Sequence, residues 1–309
     1  MSQKAKNLDI LDKHGVSVPQ GFVIKPEHYR YMIYPFANEI IESLPSSEKI
    51  KDLFLRHPIP HKTRAFLEEN LDQMSRASRY VVRSSGKVKT RGAYLREDSE
   101  NISLAGQFES YLNVPMDSVS DAIKLCWASL FNARTLSRFD VCAEYVHMSE
   151  MTVIVQEMVP AIASAVMMTV DPLGKGDVGG IDFTIGPCEA IVAGIASPDE
   201  VIFARESGKV LATHIGEKEF QVSYENFSLG KENIRRISNT SEQRSRLSVE
   251  PATIGHLINL GRYIEAIFKK PQDIEAVITH LNQIVITQTR PITCLPMSVK
   301  PFGSVFTNP

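Results

Sequence analysis

The chain has 309 residues, enough for one large domain or two lobes, and its 43% hydrophobic and 23% charged residues are the balance of a folded soluble protein. A formal net charge of −2 points to neither nucleic acid nor an anionic membrane as a bulk electrostatic partner. The N-terminus MSQKAKNLDILDKHG lacks the apolar core of a signal peptide, and the longest apolar stretch, Met158 to Val170, is broken by Pro160 and is too short to span a bilayer.

In chain order, the first predicted element is a helix over Lys4–His14, stopped by a turn at Gly15 and followed after Pro19 by a strand near Gly21–Ile24. Residues Tyr29–Leu71 read as mainly helical, punctuated by Pro35, Pro45, Pro58 and Pro60. A short strand, Tyr80–Arg83, leads into Ser84-Ser85-Gly86. The spacing of Val119, Ile123, Cys126, Trp127 and Leu130 predicts one amphipathic helix over Asp117–Phe139, with Asp117 or Ser118 as cap. Trp127 sits on its apolar face, which assigns it to the core rather than to a cofactor. Met151–Val159 reads as a buried strand ending at Pro160, with further strands at Ala165–Val170 and Ile181–Ile185. The polar stretch Lys231–Arg246 reads as a surface connection. A helix follows over Pro251–Phe268, with Ser248 as a cap and Ile254, Leu257, Ile258, Ile264 and Ile267 as its buried stripe. The chain closes on a hairpin: strand Asp273–Ile278, turn Thr279–Gln283, strand Ile284–Arg290. Strands and helices without regular βαβ alternation predict the α+β class.

Four cysteines (Cys126, Cys142, Cys188, Cys294) form no CxxC pair, and eight histidines form no HxxxH or HExxH cluster. A structural zinc or a zinc hydrolase is therefore not expected, and reduced cysteines in a cytoplasmic protein are. The polar residues of the closing hairpin are placed differently. Asp273 and Glu275 are two apart and share a strand face, as do Gln288 and Arg290. Two carboxylates, an amide and a guanidinium on one face suit a magnesium–phosphate site, the oxygens binding the hard cation and the arginine forking onto a phosphoryl oxygen. The same spacing equally describes a solvent-facing ladder of charge pairs.

The motifs, in order, resemble one known family. Pro271-Gln-Asp-Ile-Glu275 and Ile286-Thr-Gln-Thr-Arg-Pro-Ile-Thr293 resemble the "PQDIEW…ILQSRPVT" ending of the nucleotide domain of phosphoenolpyruvate synthase and pyruvate phosphate dikinase. Lys4–Leu8 with Val16–Ile24, Val82–Ser85, Glu97-Asp98 with Ser103–Gln107 and Tyr111–Val114, Cys126–Phe131, Val155–Pro160, Thr169–Pro172 and Glu189–Glu200 resemble the other segments of that family. The similarity runs from about Lys4 to Thr293. It implies an ATP-grasp fold, two lobes enclosing a nucleotide cleft, over residues 1–293, with lobes at roughly 1–155 and 156–293 and a tail or linker at 294–309.

Residue by residue, the resemblance assigns Lys4 and Arg83 to the triphosphate and, with Arg290, to catalysis. Gln156, Glu157, Met158 and Val159 match the adenine edge, and Glu189 a nucleotide-side carboxylate near the ribose. Asp273, Glu275, Gln288 and Arg290 match the metal and phosphoryl-transfer set, with Glu275 and Gln288 on the metal. ATP and Mg²⁺ are the cofactors it implies.

This sequence departs from the family in four ways. An insertion, Gly86–Arg96, carries Lys87, Lys89, Arg91 and Arg96 and reads as a cationic lid or a solvated loop. "GLGE" has become Gly186-Pro-Cys-Glu189. Lys4 lies almost at the start of the chain. None of the eight histidines lies in the "GGxxSH"-like segment that accepts phosphate in the full enzymes. The expected partner is therefore a histidine-bearing phosphocarrier subunit or domain, as in phenylphosphate synthase, with no nucleic acid and no membrane. A direct small-molecule kinase, a non-catalytic nucleotide-binding subunit, or a piece of a longer enzyme are the alternatives.

Overall fold

Gly15 takes a φ of +75° directly after helix α1 (Gln3–Lys13), and the reason the helix stops there is visible in its last carbonyls. The Val16 N–H donates to the Leu11 carbonyl at 3.0 Å and the Gly15 N–H to that of Asp12 at 2.9 Å. This pairing closes a helix over a left-handed residue that glycine adopts without a Cβ penalty. The structure, a computed structural model, describes residues 3–74, 77–89, 94–96, 108–138, 143–173, 177–225, 227 and 234–292. These divide into two compact units, the first built from residues 3–6, the described residues within 20–158 and residue 227, the second from 7–19 and those within 159–225 and 234–292.

In the first unit, β1 (Gly21–Ile24) precedes four helices separated at the prolines: α2 (Pro26–Ile33), α3 (Ala37–Ser43), α4 (Ser47–Arg56) and α5 (His61–Gln73). Pro26 occupies the first turn of α2, where its missing N–H costs nothing. Strand β2 runs Tyr80–Lys89, six residues beyond the four-residue strand predicted, so Ser84-Ser85-Gly86 is strand and not loop. Pairing continues the ladder: β2 opposes β5 (Glu150–Glu157) from Tyr80↔Glu157 to Lys87↔Glu150. Its far end pairs with β3 (Tyr94–Arg96). The described parts of the insertion, 86–89 and 94–96, are thus paired strand, with Lys87 opposite Arg96; residues 90–93, including Arg91, lie outside the described residues, as does the segment 97–107.

After β4 (Ser110–Val114), the predicted Asp117–Phe139 helix proves to be two: α6 (Val119–Ala128) and α7 (Ala133–Arg138). Neither Asp117 nor Ser118 caps α6 through its side chain. The break falls at Asn132, whose extended backbone leaves the helix and whose Oδ1 accepts the Thr135 N–H at 2.9 Å, an N-cap bond. A side chain offering that bond competes with helix continuation. Helix α8 (Ala143–Met148) precedes β5. The sheet is ordered β1-β5-β2-β3 with β4 also on β2. Val82, Val153 and Val155 pack into a core of Tyr29, Phe36, Phe54, Trp127 and Phe131. Trp127 is fully buried against Tyr29, ring centroids 6.4 Å apart, as its place on the apolar stripe predicts.

The second unit is a six-stranded antiparallel sheet, order β13-β12-β6-β7-β8-β9. Its strands β6 (Ala163–Met168) and β7 (Val178–Ile185) precede the single turn α9 (Glu189–Val192). Then follow β8 (Asp199–Ala204), β9 (Val210–His214), and a separate pair, β10 (Phe220–Tyr224) with β11 (Ile234–Ser238). The stretch read as a bare connection thus contains β11 and the short helix α10 (Ser241–Ser245), capped by Thr240. Helix α11 (Pro251–Phe268) matches its predicted bounds, but its N-cap is Glu250. Ser248 is used elsewhere, donating from its N–H and its Oγ to Asp199 Oδ2 at 2.6 Å each. The closing hairpin is β12 (Gln272–Ile278) and β13 (Ile284–Pro291).

Strand alternation splits this sheet into two chemistries. Ala165, Met167, Ile181, Phe183, Val201, Phe203, Ile274 and Ala276 form one face, buried with Ile254, Leu257, Ile258 and Ile264 of α11 and with Leu8 and Leu11 of α1. At about 25 cal/mol per Å² of apolar surface removed from water, this face drives the unit's folding. The residues between them in sequence, Val166, Met168, Asp182, Glu200, Asp273 and Glu275, occupy the other face.

Candidate functional site

The hairpin turn is held by Thr279, whose N–H donates to the Gln283 carbonyl at 3.0 Å and whose Oγ1 accepts the N–H groups of Leu281 and Gln283 at 3.3 Å. That closure sets the pairing: Asp273 opposite Arg290 and Glu275 opposite Gln288. Arg290 grips Asp273 Oδ2 through Nε and a terminal nitrogen, both at 2.8 Å. Gln288 Nε2 donates to Glu275 Oε1 at 2.9 Å. The four residues expected to act together are thus brought together.

They share a face only because the ladder is broken between Glu275 and Ala276, where the register shifts by one residue at Thr287. In an unbroken strand Ile286, Gln288 and Arg290 would point the same way. The extra residue turns Ile286 into the core while Gln288 and Arg290 stay with Glu275 and Asp273. A bulge of this kind re-aims side chains; Thr287 Oγ1 donates to the Glu275 carbonyl at 3.2 Å across it.

Burial raises the pKa of Asp273 above its ordinary value, with the Arg290 guanidinium acting against that rise and the Glu275 charge adding to it. The Asp273 side chain is 13% exposed and Arg290 50%, so the pair presents its cationic end outward. Two strands further along the same face stands a residue that sequence reasoning missed. Asp182 lies across Val166 from Glu275, with Glu200 directly opposite it. Burial and, after it, the Glu200 charge raise its pKa. The signal was present in the alternation Ile181-Asp182-Phe183.

Glu189 opens α9 in the same unit, and the altered "GPCE" segment keeps the glycine that the turn needs. Gly186 has φ +80°, and a Cβ there would meet the Val222 carbonyl oxygen at 3.0 Å. The Gly186 carbonyl accepts from Ser164 Oγ at 2.7 Å. Glu189 Oε2 accepts the Tyr224 hydroxyl at 2.9 Å.

In the first unit, Arg83 pairs with Ile154, and Val81 with Gln156, so Arg83 and Gln156 share the sheet face opposite Val82 and Val155. Strand β5 ends at Glu157, and Met158 and Val159 lie beyond it, a correction to the strand predicted through Val159. The N–H groups of Glu157 and Met158 are also committed, donating to the Gln20 and Arg79 carbonyls at 2.9 Å. The Glu157 carboxylate accepts the Gln20 N–H at 3.1 Å. Reading of a base along this segment cannot use those two donors. Lys4 stands in the first turn of α1.

Among the described residues no group of three His, Cys, Asp or Glu could hold a metal ion alone, Cys126 and Cys188 are in no disulfide, and no helix is long and apolar enough to cross a membrane.

The family model described as pyruvate phosphate dikinase, AMP/ATP-binding domain, matches residues 3–301. A probable phosphoenolpyruvate synthase of Methanothermobacter thermautotrophicus is 29% identical over 94% of this chain and 44% of its own length. One of Archaeoglobus fulgidus is 31% identical over 94% of this chain and 39% of its own. The rifampicin phosphotransferase of Bacillus subtilis is 31% identical over 94% of this chain and 34% of its own. The chain thus spans less than half the length of these curated relatives. It belongs to the pyruvate phosphate dikinase AMP/ATP-binding domain family.

Proposed function

We propose that this chain binds magnesium–ATP and is the nucleotide-using part of an ATP-dependent phosphotransferase. The observation that carries this is the hairpin: a carboxylate-held arginine beside a carboxylate–amide pair, on the polar face of a sheet whose other face is dry. Arg290, Arg83 and Lys4 take the triphosphate, and Asp273 holds the Arg290 fork. Fixed cations of this kind offset the charge that moves as a phosphoryl group departs. Glu275 and Gln288 bring hard oxygen donors that fit Mg²⁺. Too few groups converge there to hold the ion alone, which suits a cation that keeps phosphate oxygens and water in its shell. When bound, the ion neutralises the phosphates that the two carboxylates would otherwise repel. Glu189 lies on the ribose side, and the end of β5 through Val159 on the adenine side.

The acceptor we propose is a histidine on a separate chain or domain. Its imidazole nitrogen attacks the β-phosphorus, the bond to the α-phosphate oxygen breaks, and AMP leaves. Water then takes the terminal phosphate from the pyrophosphoryl-histidine, releasing inorganic phosphate. Direct transfer to a small acceptor is the second reading, favoured by the similarity to a rifampicin phosphotransferase. In either case water in the absence of an acceptor is not positioned for in-line attack, so the chain alone should turn ATP over slowly. Incubation with labelled ATP and a histidine-bearing phosphocarrier separates the two: acid-labile label on the partner alongside AMP supports the first. Phosphorylation of a small molecule by this chain alone removes it in favour of the second. Calorimetry tests the ground both share, and equal ATP affinity with and without Mg²⁺ would end the metal assignment.

A further inference from the structure

Behind the site residues of the hairpin stand buried polar residues that face the other way. Gln272 precedes Asp273, and Thr289 lies between Gln288 and Arg290; each is fully buried, as is Asn7 of α1. Thr289 Oγ1 donates to Gln272 Oε1 at 2.8 Å, and Gln272 Nε2 donates to the carbonyls of Lys270 at 3.0 Å and Pro271 at 3.3 Å. The Gln272 N–H donates to Thr169 Oγ1 at 2.9 Å, while the Thr169 N–H returns to the Gln272 carbonyl at 2.9 Å. Asn7 Nδ2 donates to the Thr289 carbonyl at 2.7 Å across 282 positions of sequence.

This is costly material for a core. An apolar residue would fill the same volume, whereas a buried amide or hydroxyl is tolerated only when its bonds are made. What the bonds secure is alignment: the Asn7 and Thr169 bonds hold the backbone units of Thr289 and Gln272, next to Arg290 and Asp273, and the Thr289–Gln272 side-chain bond ties the two strands to each other. The bulge at Thr287 makes such fixing necessary, since a strand that can hold one extra residue has a second register close by. Asn7 also stands one helical turn after Lys4.

We propose that Asn7, Thr289 and Gln272 form a positioning network that holds the open end of the hairpin in the register presenting Arg290 and Asp273 together. The same network ties α1, through Asn7, to the strand that carries Arg290. The inference rests on the phosphotransferase reading of that hairpin. None of the three residues touches the nucleotide; they act through Arg290 and Asp273.

The test is a double-mutant cycle on the full chain: Thr289→Val, which keeps the shape and loses the donor, and Thr289→Ser, which keeps the donor. Each is made alone and with Arg290→Ala, reading magnesium–ATP turnover, ATP affinity by calorimetry and the urea midpoint. Thr289→Val should lower turnover about ten- to a hundredfold, the usual reach of residues that orient others in a site, with ATP affinity changed by less than about threefold. Thr289→Ser should restore it. In the Arg290→Ala background Thr289→Val should cost nothing further, because groups acting as a unit are non-additive. Full turnover in Thr289→Val, or the same loss with and without Arg290, overturns the network. Full turnover in Arg290→Ala instead overturns the phosphotransferase role of the hairpin and the network with it. Should Thr289→Val fail to fold, Asn7→Asp takes its place in the cycle, since a carboxylate of the same shape cannot donate to the Thr289 carbonyl.

Discussion

Two aspartates of the second unit each meet a cation, and they differ in what remains available to a ligand. Asp199 is 0% exposed and Lys218 1%. Asp199 Oδ1 also accepts the Gly216 N–H at 3.0 Å, and Oδ2 accepts from Ser248 twice at 2.6 Å. Lys218 gives another bond to the Arg246 carbonyl at 2.8 Å. That pair is saturated, and it pins the start of β8 to the segments that precede β10 and follow α10. The Asp273–Arg290 pair is half open, its guanidinium 50% exposed. The same chemistry therefore serves architecture where every bond is made inside, and recognition where one end faces out.

The largest effect should come from breaking the saturated pair. Asp199→Ala leaves Lys218 buried without its counter-charge and should cost about 3–5 kcal/mol, read as the shift in urea-unfolding free energy. A loss no greater than that of Asp273→Ala would mean burial is not what separates the two pairs. Arg290→Ala should act mainly on rate. Stability should fall by less than in Asp199→Ala, about 1–3 kcal/mol for the mostly buried Asp273 left without its fork, while phosphoryl transfer falls by about a thousandfold or more. ATP affinity should change far less; equal losses in binding and rate would confine Arg290 to the ground state.

The third test concerns pH. Burial holds the pKa of folded Asp273 above its ordinary 3.8 despite Arg290, so ionising it costs the folded state more than the unfolded one. Its contribution to stability is then fully present below pH 3.8 and is lost as pH rises through the raised folded value. Asp273→Asn removes that decline and should be at least as stable as the parent at pH 7, while slowing phosphoryl transfer through the loosened Arg290 with ATP affinity little changed. Urea midpoints of parent and variant at acid and neutral pH check the sign; a parent that gains on the variant as pH rises would show that Arg290 outweighs burial. The smallest effect should come from the exposed Asp9–Lys13 pair, 50% and 68% exposed. Lys13→Ala should cost less than about 0.5 kcal/mol, and a larger value in a thermal melt would undo the ranking by exposure.

Elements whose signals are local were legible from sequence. Gly15 stops α1, the 3.6-residue stripe Ile254–Ile264 with Pro251 marks α11, and the apolar runs around Thr279–Gln283 mark the hairpin. Asp273, Glu275, Gln288 and Arg290 were legible as two same-face pairs because a strand has period two. Strands β8 and β9 hid their pattern: in β8 the apolar Ile202 stands exposed between the buried Val201 and Phe203, and β9 is exposed at every position. Asp199 read as one acid among several until Lys218 and Ser248, distant in sequence, closed around it.

By itself, then, the sequence determined which residues could form strands and which pairs could share a face. Tertiary structure alone decided which face each pair took. Ile286, Gln288 and Arg290 have the same parity, so no count along the strand can send the first inward and the others outward. The core against α11 requires Ile286 inside, β12 requires Gln288 and Arg290 beside Glu275 and Asp273, and the bulge at Thr287 satisfies both. That choice rests on contacts made across the sheet, which one strand's own pattern does not contain.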